Sequence, residues 1–388
     1  MNIAKPMIYL DNAATSWPKP PAVPEAMTDC LLRYGANPGR GSHEMALQAG
    51  RVLLEARRAL ADLFRVANPN DIIFTLNTTH AINIAIQGVL RPGDHVVTTA
   101  IEHNSIRRPL EAMRRLRGIE VSYVRADEAG RVDVRALADE IRPNTRLVAV
   151  THSSNLLGTV LPIEEIGAIT RRRGVRLLVD AAQTAGVLDI DVGAMNIDLL
   201  AFPGHKGLMG PQGTGGLYIH PDLDPEPLLH GGTGSRSESP EQPDVRPDRY
   251  EAGTPNTVGI AGLAAGVRFV QEQTVQAIRT KERELTLRLM EGLRAVPGVR
   301  LLGPGPEEER TAIVSFLLEG YDPAELAFVL DQQFGIAVRA GFHCAPLAHE
   351  CAGTAGTGAV RASPGYFNTD ADIDALIEAV KELAAAVR

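Results

Sequence analysis

Two apolar runs in the middle of the chain each end on a group able to do covalent or acid–base chemistry. Leu178-Val179-Asp180-Ala181-Ala182-Gln183 places a carboxylate where a buried strand runs out. Ala201-Phe202-Pro203-Gly204-His205-Lys206-Gly207 places an amine at the end of the next such run, 26 residues after Asp180. Strand ends are where α/β sheets bind ligands. A pyridoxal cofactor needs this pair: a lysine to form a Schiff base, and an acid that keeps the pyridine nitrogen protonated so that the ring accepts electrons. Taken singly, a strand-end Asp caps a helix and a Lys is a solvated charge. The spacing and the flanking glycines favour the pair. Asn77-Thr78-Thr79-His80-Ala81-Ile82-Asn83 follows another strand and opens a helix. Thr78 and Thr79 there offer hydroxyls and amides at a positive helix terminus, which suits a phosphate as well as ordinary capping.

A third group is Cys344, in a Gly- and Pro-bearing segment seventeen residues before Arg361. His343 and Arg339 are near in sequence and would favour its thiolate. The plainer reading is a small buried hydrophobe. His343, Cys344, His349 and Cys351 fall within nine residues and are all zinc-type ligands. Adjacent ligands fit one cage badly, so no metal is expected. The Gly-rich stretch from Cys351 to Gly358 is expected to be mobile.

The elements that must position these groups emerge from periodicity. Continuous β-branched runs at 71–75, 94–99, 146–151 and 176–180 read as buried parallel strands, with a helix over His80–Val89 between the first two. The pattern is α/β with a mainly parallel sheet. Ile8-Tyr9-Leu10 reads as a short strand in an N-terminal arm, residues 1–20. Residues 231–250 should form a long exposed loop. Ile278, Leu285, Leu289 and Leu293 mark a long amphipathic helix over 275–295. A large domain over 21–260 and a smaller C-terminal α+β domain over 261–388 are expected. The latter has a strand over 312–316 and a last helix from Asp370, its N-cap, to Arg388.

The whole chain sets limits. It has 388 residues, 44% of them hydrophobic, and a net charge of −8. That length suits two or three domains. The negative charge argues against nucleic acid or an anionic membrane surface as partner. No apolar run reaches the roughly 18 residues of a membrane span. Met1 to Pro6 has no apolar signal region, so a cytoplasmic location is expected. Cys30, Cys344 and Cys351 are too few for a disulfide framework and fit a reducing compartment.

Eight segments, in order along nearly the whole chain, carry a resemblance. They are Tyr9 to Thr15, Glu102-His103-Asn104-Ser105, Ser154 to Thr159, Val179 to Gln183, Gly204-His205-Lys206, Glu251 to Asn256, Arg339 to Ala345 and Val360 to Ser363. The chain resembles the class V aminotransferase-fold enzymes, and among them the SUF-type (group II) cysteine desulfurases. The resemblance implies a fold-type-I homodimer with pyridoxal 5′-phosphate held by Lys206, which also moves the substrate's α-proton. It implies that Asp180 pairs with the pyridine nitrogen and that Gln183 contacts the ring hydroxyl. His103 would stack on the ring and carry protons, and Asn155 would lie near ring hydroxyl and substrate. Thr78, Thr79 and His205 would hold the phosphate, joined by Thr254 from the other subunit. Arg361, with Arg339 nearby, would take the substrate carboxylate as a bidentate fork. Cys344 would attack the sulfur of L-cysteine, become a persulfide, leave L-alanine and pass the sulfur to an acceptor protein. A selenocysteine lyase or cysteine C–S lyase would use the same machinery. An aminotransferase, an epimerase or a non-catalytic sulfur relay fits less well. One position departs from the family: Pro203 stands where a Ser or Thr usually donates to phosphate.

Overall fold

The computed structural model describes residues 7–39 and 41–386. Met1 to Pro6 and the expected helix end at Arg388 lie outside the described residues. In chain order the elements begin with β1 (Ile8–Tyr9), α1 (Ala22–Arg33), α2 (Glu44–Phe64), β2 (Ile72–Thr75), α3 (Thr78–Val89), β3 (His95–Thr99), α4 (Asn104–Arg117) and β4 (Glu120–Val124). Next come α5 (Val134–Asp139), β5 (Thr145–Thr151), α6 (Ile163–Arg173), β6 (Arg176–Asp180), β7 (Leu199–Pro203), β8 (Gly215–Ile219), α7 (Thr257–Gln273) and α8 (Val275–Arg294). The chain ends with β9 (Val299–Leu302), β10 (Val314–Leu318), α9 (Pro323–Val329), β11 (Ile336–Ala337), β12 (Arg339–Gly341), α10 (Pro346–Cys351), β13 (Ala359–Ala362) and α11 (Asp370–Ala386).

Seven strands form the main sheet in the order β2-β8-β7-β6-β5-β3-β4. From β7 to β4 every neighbouring pair is parallel, and β8 runs antiparallel to both β2 and β7. Side chains alternate between the two faces of a strand. Val148, Val150, Leu177, Val179, Leu200 and Phe202 therefore enter one core. Their neighbours Leu147, Ala149, Leu178, Leu199 and Ala201 enter the other. Both faces are covered, which is why these strands read as unbroken apolar runs. The antiparallel β8, with its Gly215-Gly216 start, escaped the periodicity reading. Gly216 lies against the ring of Phe202, which would be 2.4 Å from a Cβ there, so this strand needs glycine.

The C-terminal unit is an antiparallel sheet, β12-β13-β10-β9. Leu285, Leu289 and Leu293 of α8 join Phe316, Val360, Leu376 and Val380 in its core. Leu10 enters the same core, and β1 pairs in parallel with β11. The N-terminal arm is thus sewn onto the C-terminal unit. The expected boundary at residue 260 falls inside α7, whose Ile260 and Ala264 pack with Ala56 of α2. The chain changes partners at Thr274, which has φ 68° and caps α8 by accepting from the Ala277 amide. Asp370 is the first helical residue of α11 rather than its cap. Thr369 caps instead: its hydroxyl accepts from the Asp372 amide at 3.3 Å, and the Asp372 carboxylate accepts from the Thr369 amide at 2.9 Å. Residues 231–250 hold no regular element, but their end is anchored by Arg246, which donates to Asp71 at 2.7 Å. Among the described residues no helix is long and apolar enough to cross a membrane.

One buried ion pair ties the segment before α7 to the sheet edge. Arg57 pairs with Glu251, donates to the Ile72 carbonyl and lies over the Phe74 ring. Glu251 also accepts from the Phe74 amide at 2.6 Å. Glu251→Ala would strand a buried guanidinium, and breaking such a pair from one side costs about 3–5 kcal/mol. A clear fall in the thermal midpoint is expected, partly reversed by adding Arg57→Met.

Candidate active site

Asp180 ends β6, buried, and its carboxylate accepts from the Ala182 amide at 2.9 Å. Burial raises its pKa to about 6, against the pull of Lys206. On the next strand the chain leaves β7 through Pro203. Beyond Ala201 no residue of β7 pairs with β6, so the missing N–H of Pro203 breaks no ladder on that side. Gly204 then passes so close to Thr214 that a Cβ would lie 2.1 Å from its hydroxyl. This turn delivers Lys206 beside Asp180. Burial, and next the Arg361 guanidinium, lower the Lys206 pKa to about 8, while Asp180 works the other way.

The N-terminal arm holds this turn in place. Lys19 donates to the His205 carbonyl at 2.9 Å and to Ser16 at 2.8 Å. Ser16 donates to the Lys206 carbonyl at 2.9 Å. Gln183 donates to the Ala13 carbonyl at 3.1 Å, so one of its amide hydrogens is committed to the arm.

His103 caps α4. Its Nδ1 accepts from the Ser105 amide at 3.0 Å, which places the ring proton on Nε2. Ser105 Oγ lies 2.8 Å from both His103 Nδ1 and Thr79 Oγ1, joining the starts of α3 and α4. Burial, then Lys206, depress the His103 pKa to about 4, so the ring is neutral near pH 7. Thr78 is buried in the first turn of α3. His205 is lowered to about 4 by burial, and its buried Nδ1 has no partner among the described residues.

The second unit closes the site. Arg361 is 1% exposed. It donates to the Asn155 carbonyl at 2.9 Å and to Asp11 at 2.8 Å, while its Nε has no partner among the described residues. Both terminal nitrogens are thus already engaged, so the fork expected for the substrate has only part of its donors free. Arg339 faces Arg361 across the β12–β13 register. Asn155 donates to the His343 carbonyl at 2.6 Å, and its Oδ1 has no partner among the described residues. The Asn104 amide donates to the Cys344 carbonyl at 2.8 Å. Two residues of the large unit therefore pin the cysteine loop, in which His343 and Cys344 both adopt positive φ, 50° and 56°. Consecutive non-glycine residues there are costly and mark functional loops. Cys344 is exposed.

Two expectations need correcting. His343 supplies no positive charge to Cys344: burial lowers it to about 3, its ring stacks on His349 at 5.7 Å, and its Nε2 lies 3.2 Å from the Arg339 carbonyl. The stretch expected to be mobile is tied down. Cys351 ends α10, Thr354 is buried with its hydroxyl 2.7 Å from His349 Nδ1, and the Gly358 amide donates to the Thr354 carbonyl. Among the described residues no three His, Cys, Asp or Glu side chains converge as a metal site. Thr254 lies exposed on a surface groove with Leu76, His80 and Gly213.

Sequence reading gave no role to Asp11, Lys19, Glu102 or Glu282. Glu102, just before His103, is fully buried and pushed up to about 8 by burial, with Thr99 donating to it at 2.5 Å. Glu282 of α8 lines a cavity with Lys206 and Gln183 and is likewise raised to about 8 by burial. A carboxyl that keeps its proton to pH 8 when folded, but loses it near 4.5 when unfolded, makes stability fall as pH rises through that window. The buried histidines act in the opposite sense near pH 6.5, because the unfolded chain still protonates them there, but wild type and variant share that contribution, so the difference between the two isolates Glu282. Glu282→Gln should flatten the loss of unfolding free energy there by roughly 1 kcal/mol per pH unit. Denaturant titrations at the two pH values check this.

The Aminotransferase class-V family model matches residues 8–376. A probable cysteine desulfurase of Methanothermobacter thermautotrophicus is 41% identical over 97% of this chain and 94% of its own. One of Pyrococcus abyssi is 35% identical over 100% of this chain and 96% of its own. The apo structure of a cysteine desulfurase from Thermococcus onnurineus NA1 superposes with a TM-score of 0.91 at 36% identity, covering 98% of this chain and 95% of that one. A cysteine desulfurase structure from Escherichia coli gives 0.89 at 30% identity, over 98% and 95%. With the fold, the strand-end Asp180 and Lys206 and these full-length matches in hand, the chain belongs to the class-V aminotransferase family.

Proposed function

We propose that this protein is a cysteine desulfurase that uses pyridoxal 5′-phosphate to convert L-cysteine to L-alanine, taking the sulfur onto Cys344 as a persulfide. The observation that carries the reading is the bond from the Asn104 amide to the Cys344 carbonyl. It sets an exposed cysteine against Asn104, the residue next to His103, whose ring feels the charge of Lys206.

The residues present fit the cofactor. Asp180 is a buried carboxyl beside Lys206, and buried His205 Nδ1 and Asn155 Oδ1 lack partners; such orphans call for a ligand. Thr78, Thr79 and His205 would hold the phosphate at the start of α3, with Thr254 contributed by a homodimer partner. Asp180 would hold the ring nitrogen, Gln183 and Asn155 the ring hydroxyl, and His103 one ring face. Pro203 removes one donor from the phosphate side. Bound there, the cofactor supplies an electron sink that labilises the α-proton and the C–S bond of an amino acid.

The chain's own residues do the rest. Arg361 and Arg339 bind and orient the substrate carboxylate. Lys206, a neutral amine in roughly a tenth of molecules at pH 7, takes the α-proton. His103, with its proton on Nε2, donates and recovers a proton at the ring face. Cys344 attacks the substrate sulfur as a thiolate. A sulfur acceptor then clears the persulfide.

Intact-mass analysis after exposure of the holoenzyme to L-cysteine tests the reading. A one-sulfur adduct mapping to Cys344, with L-alanine in solution, is expected. Pyruvate or a keto acid without an adduct would overturn it.

A further inference from the structure

Beside the cysteine loop lies an open groove of about 660 Å³ that the reaction does not use. It is lined by Arg107, Arg108, Arg114 and Arg115 of α4, with Glu111 among them and Pro346 at its edge. The spacing puts Arg108 and Arg115 on the face of α4 opposite its buried side, Ile106, Leu110 and Met113, with Arg107 and Arg114 on the flank between them. Arg114 donates to Glu111 at 2.8 Å, and Glu111 also accepts from the Tyr123 hydroxyl. Arg107, Arg108 and Arg115 have no carboxylate partner among the described residues. The groove is strongly basic in a chain whose net charge is −8. Its position is fixed relative to the thiol, because Asn104 starts α4 and holds the Cys344 carbonyl, and Pro346 is two residues beyond Cys344. Phe342, 49% exposed, stands on the other side of the same loop.

We infer that this groove docks an acidic sulfur-acceptor protein, one that presents a nucleophilic thiol within a carboxylate-rich surface. The inference rests on the desulfurase reading and names the partner's chemistry. The negative remainder of the chain repels such a partner, and the α4 arginines draw it to the one face where Cys344 is exposed. In the transfer, the acceptor thiolate attacks the outer sulfur of the Cys344 persulfide. A new S–S bond forms on the acceptor, the bond to Cys344 Sγ breaks, and its electron pair leaves with Cys344 as a thiolate. The proton on the outer sulfur travels with it, and no external oxidant or reductant is consumed.

Short synthetic peptides bearing one cysteine among glutamates, glutamines or lysines serve as probes. Holoenzyme is incubated with L-cysteine and each peptide, and peptide persulfide is followed by mass. The glutamate peptide should accept sulfur about tenfold faster than the glutamine peptide at low salt, the lysine peptide slowest, and the differences should fade as salt screens them. The double variant Arg107→Glu with Arg115→Glu should lose or invert that order while loading Cys344 normally in the absence of peptide. Charge-blind transfer by the wild type would overturn the inference, as would a preference that survives in the variant. A change of the variant's oligomeric state in sedimentation would also overturn it, marking the groove as a contact between copies. Failure of wild-type Cys344 to load sulfur at all would instead defeat the desulfurase reading.

Discussion

Lys206→Ala should cut alanine production from L-cysteine by more than about 10³-fold, the range in which a positioned acid–base group acts. Two jobs converge on this amine, cofactor attachment and α-proton removal, and no other described amine stands beside Asp180. Lys19 lies close, but its nitrogen is committed to Ser16 and the His205 carbonyl. Lys206→Arg should not restore activity, because a guanidinium stays protonated. The environment also sets a pH signature. An ordinary lysine near 10.5 is almost wholly protonated at neutral pH. With Lys206 lowered to about 8, roughly a tenth is neutral at pH 7. Only the neutral amine is a nucleophile. Cofactor uptake by the apo protein, followed by absorbance, should therefore rise about tenfold per pH unit up to about pH 8 and then level off. Continued rise to pH 10 would show that burial does not tune this lysine. Retention of a tenth of the activity in Lys206→Ala would remove it from the mechanism.

The sheet was legible because β5, β6 and β7 are buried on both faces and so carry continuous apolar runs. Asp180 and Lys206 were legible because they stand where those runs stop. The boundaries of the two units were not. α7 has apolar and small residues nearly all round, so nothing in its pattern says that it packs on α1 and α2 rather than on the C-terminal sheet. The arm looks separate in sequence because β1 is two residues long and its partner β11 is more than three hundred residues away. Sequence distance also hides Asp11 as the holder of Arg361, 350 residues away, and Lys19 as the brace of the Lys206 turn, 186 residues from His205. His343 departs from its sequence expectation for a different reason. Adjacency to Cys344 suggested a charge, but the positive φ of both residues turns the His343 ring into the interior against His349. The Gly-rich stretch after Cys351 was likewise read by composition, which does not reveal that Thr354 is buried and bonded to His349. Local composition reports flexibility only where tertiary contacts are absent.

Cys344→Ser should lower turnover of L-cysteine by at least about 10²-fold and abolish the sulfur adduct, since a serine hydroxyl does not attack sulfur. The fold should not change. Cys344 is tethered through its carbonyl, which Asn104 holds, and its side chain is exposed. Serine is close in size and keeps the same backbone contact. The variant should still bind pyridoxal phosphate and still exchange the α-proton of cysteine or alanine with deuterated solvent, because Lys206, Asp180 and Arg361 are untouched. This separates the two halves of the site. Proton chemistry belongs to the strand ends of the main sheet, and sulfur chemistry belongs to a loop of the C-terminal unit. If exchange stops along with turnover, Cys344 supports the proton step, and the division of labour fails. If turnover of L-cysteine persists without an adduct, the enzyme cleaves the C–S bond without a nucleophilic thiol. If selenocysteine is consumed by the variant while L-cysteine is never consumed by the wild type, the protein is a lyase for selenium. Only loss of turnover and adduct with retained exchange leaves Cys344 as the residue that turns general amino-acid chemistry towards sulfur removal.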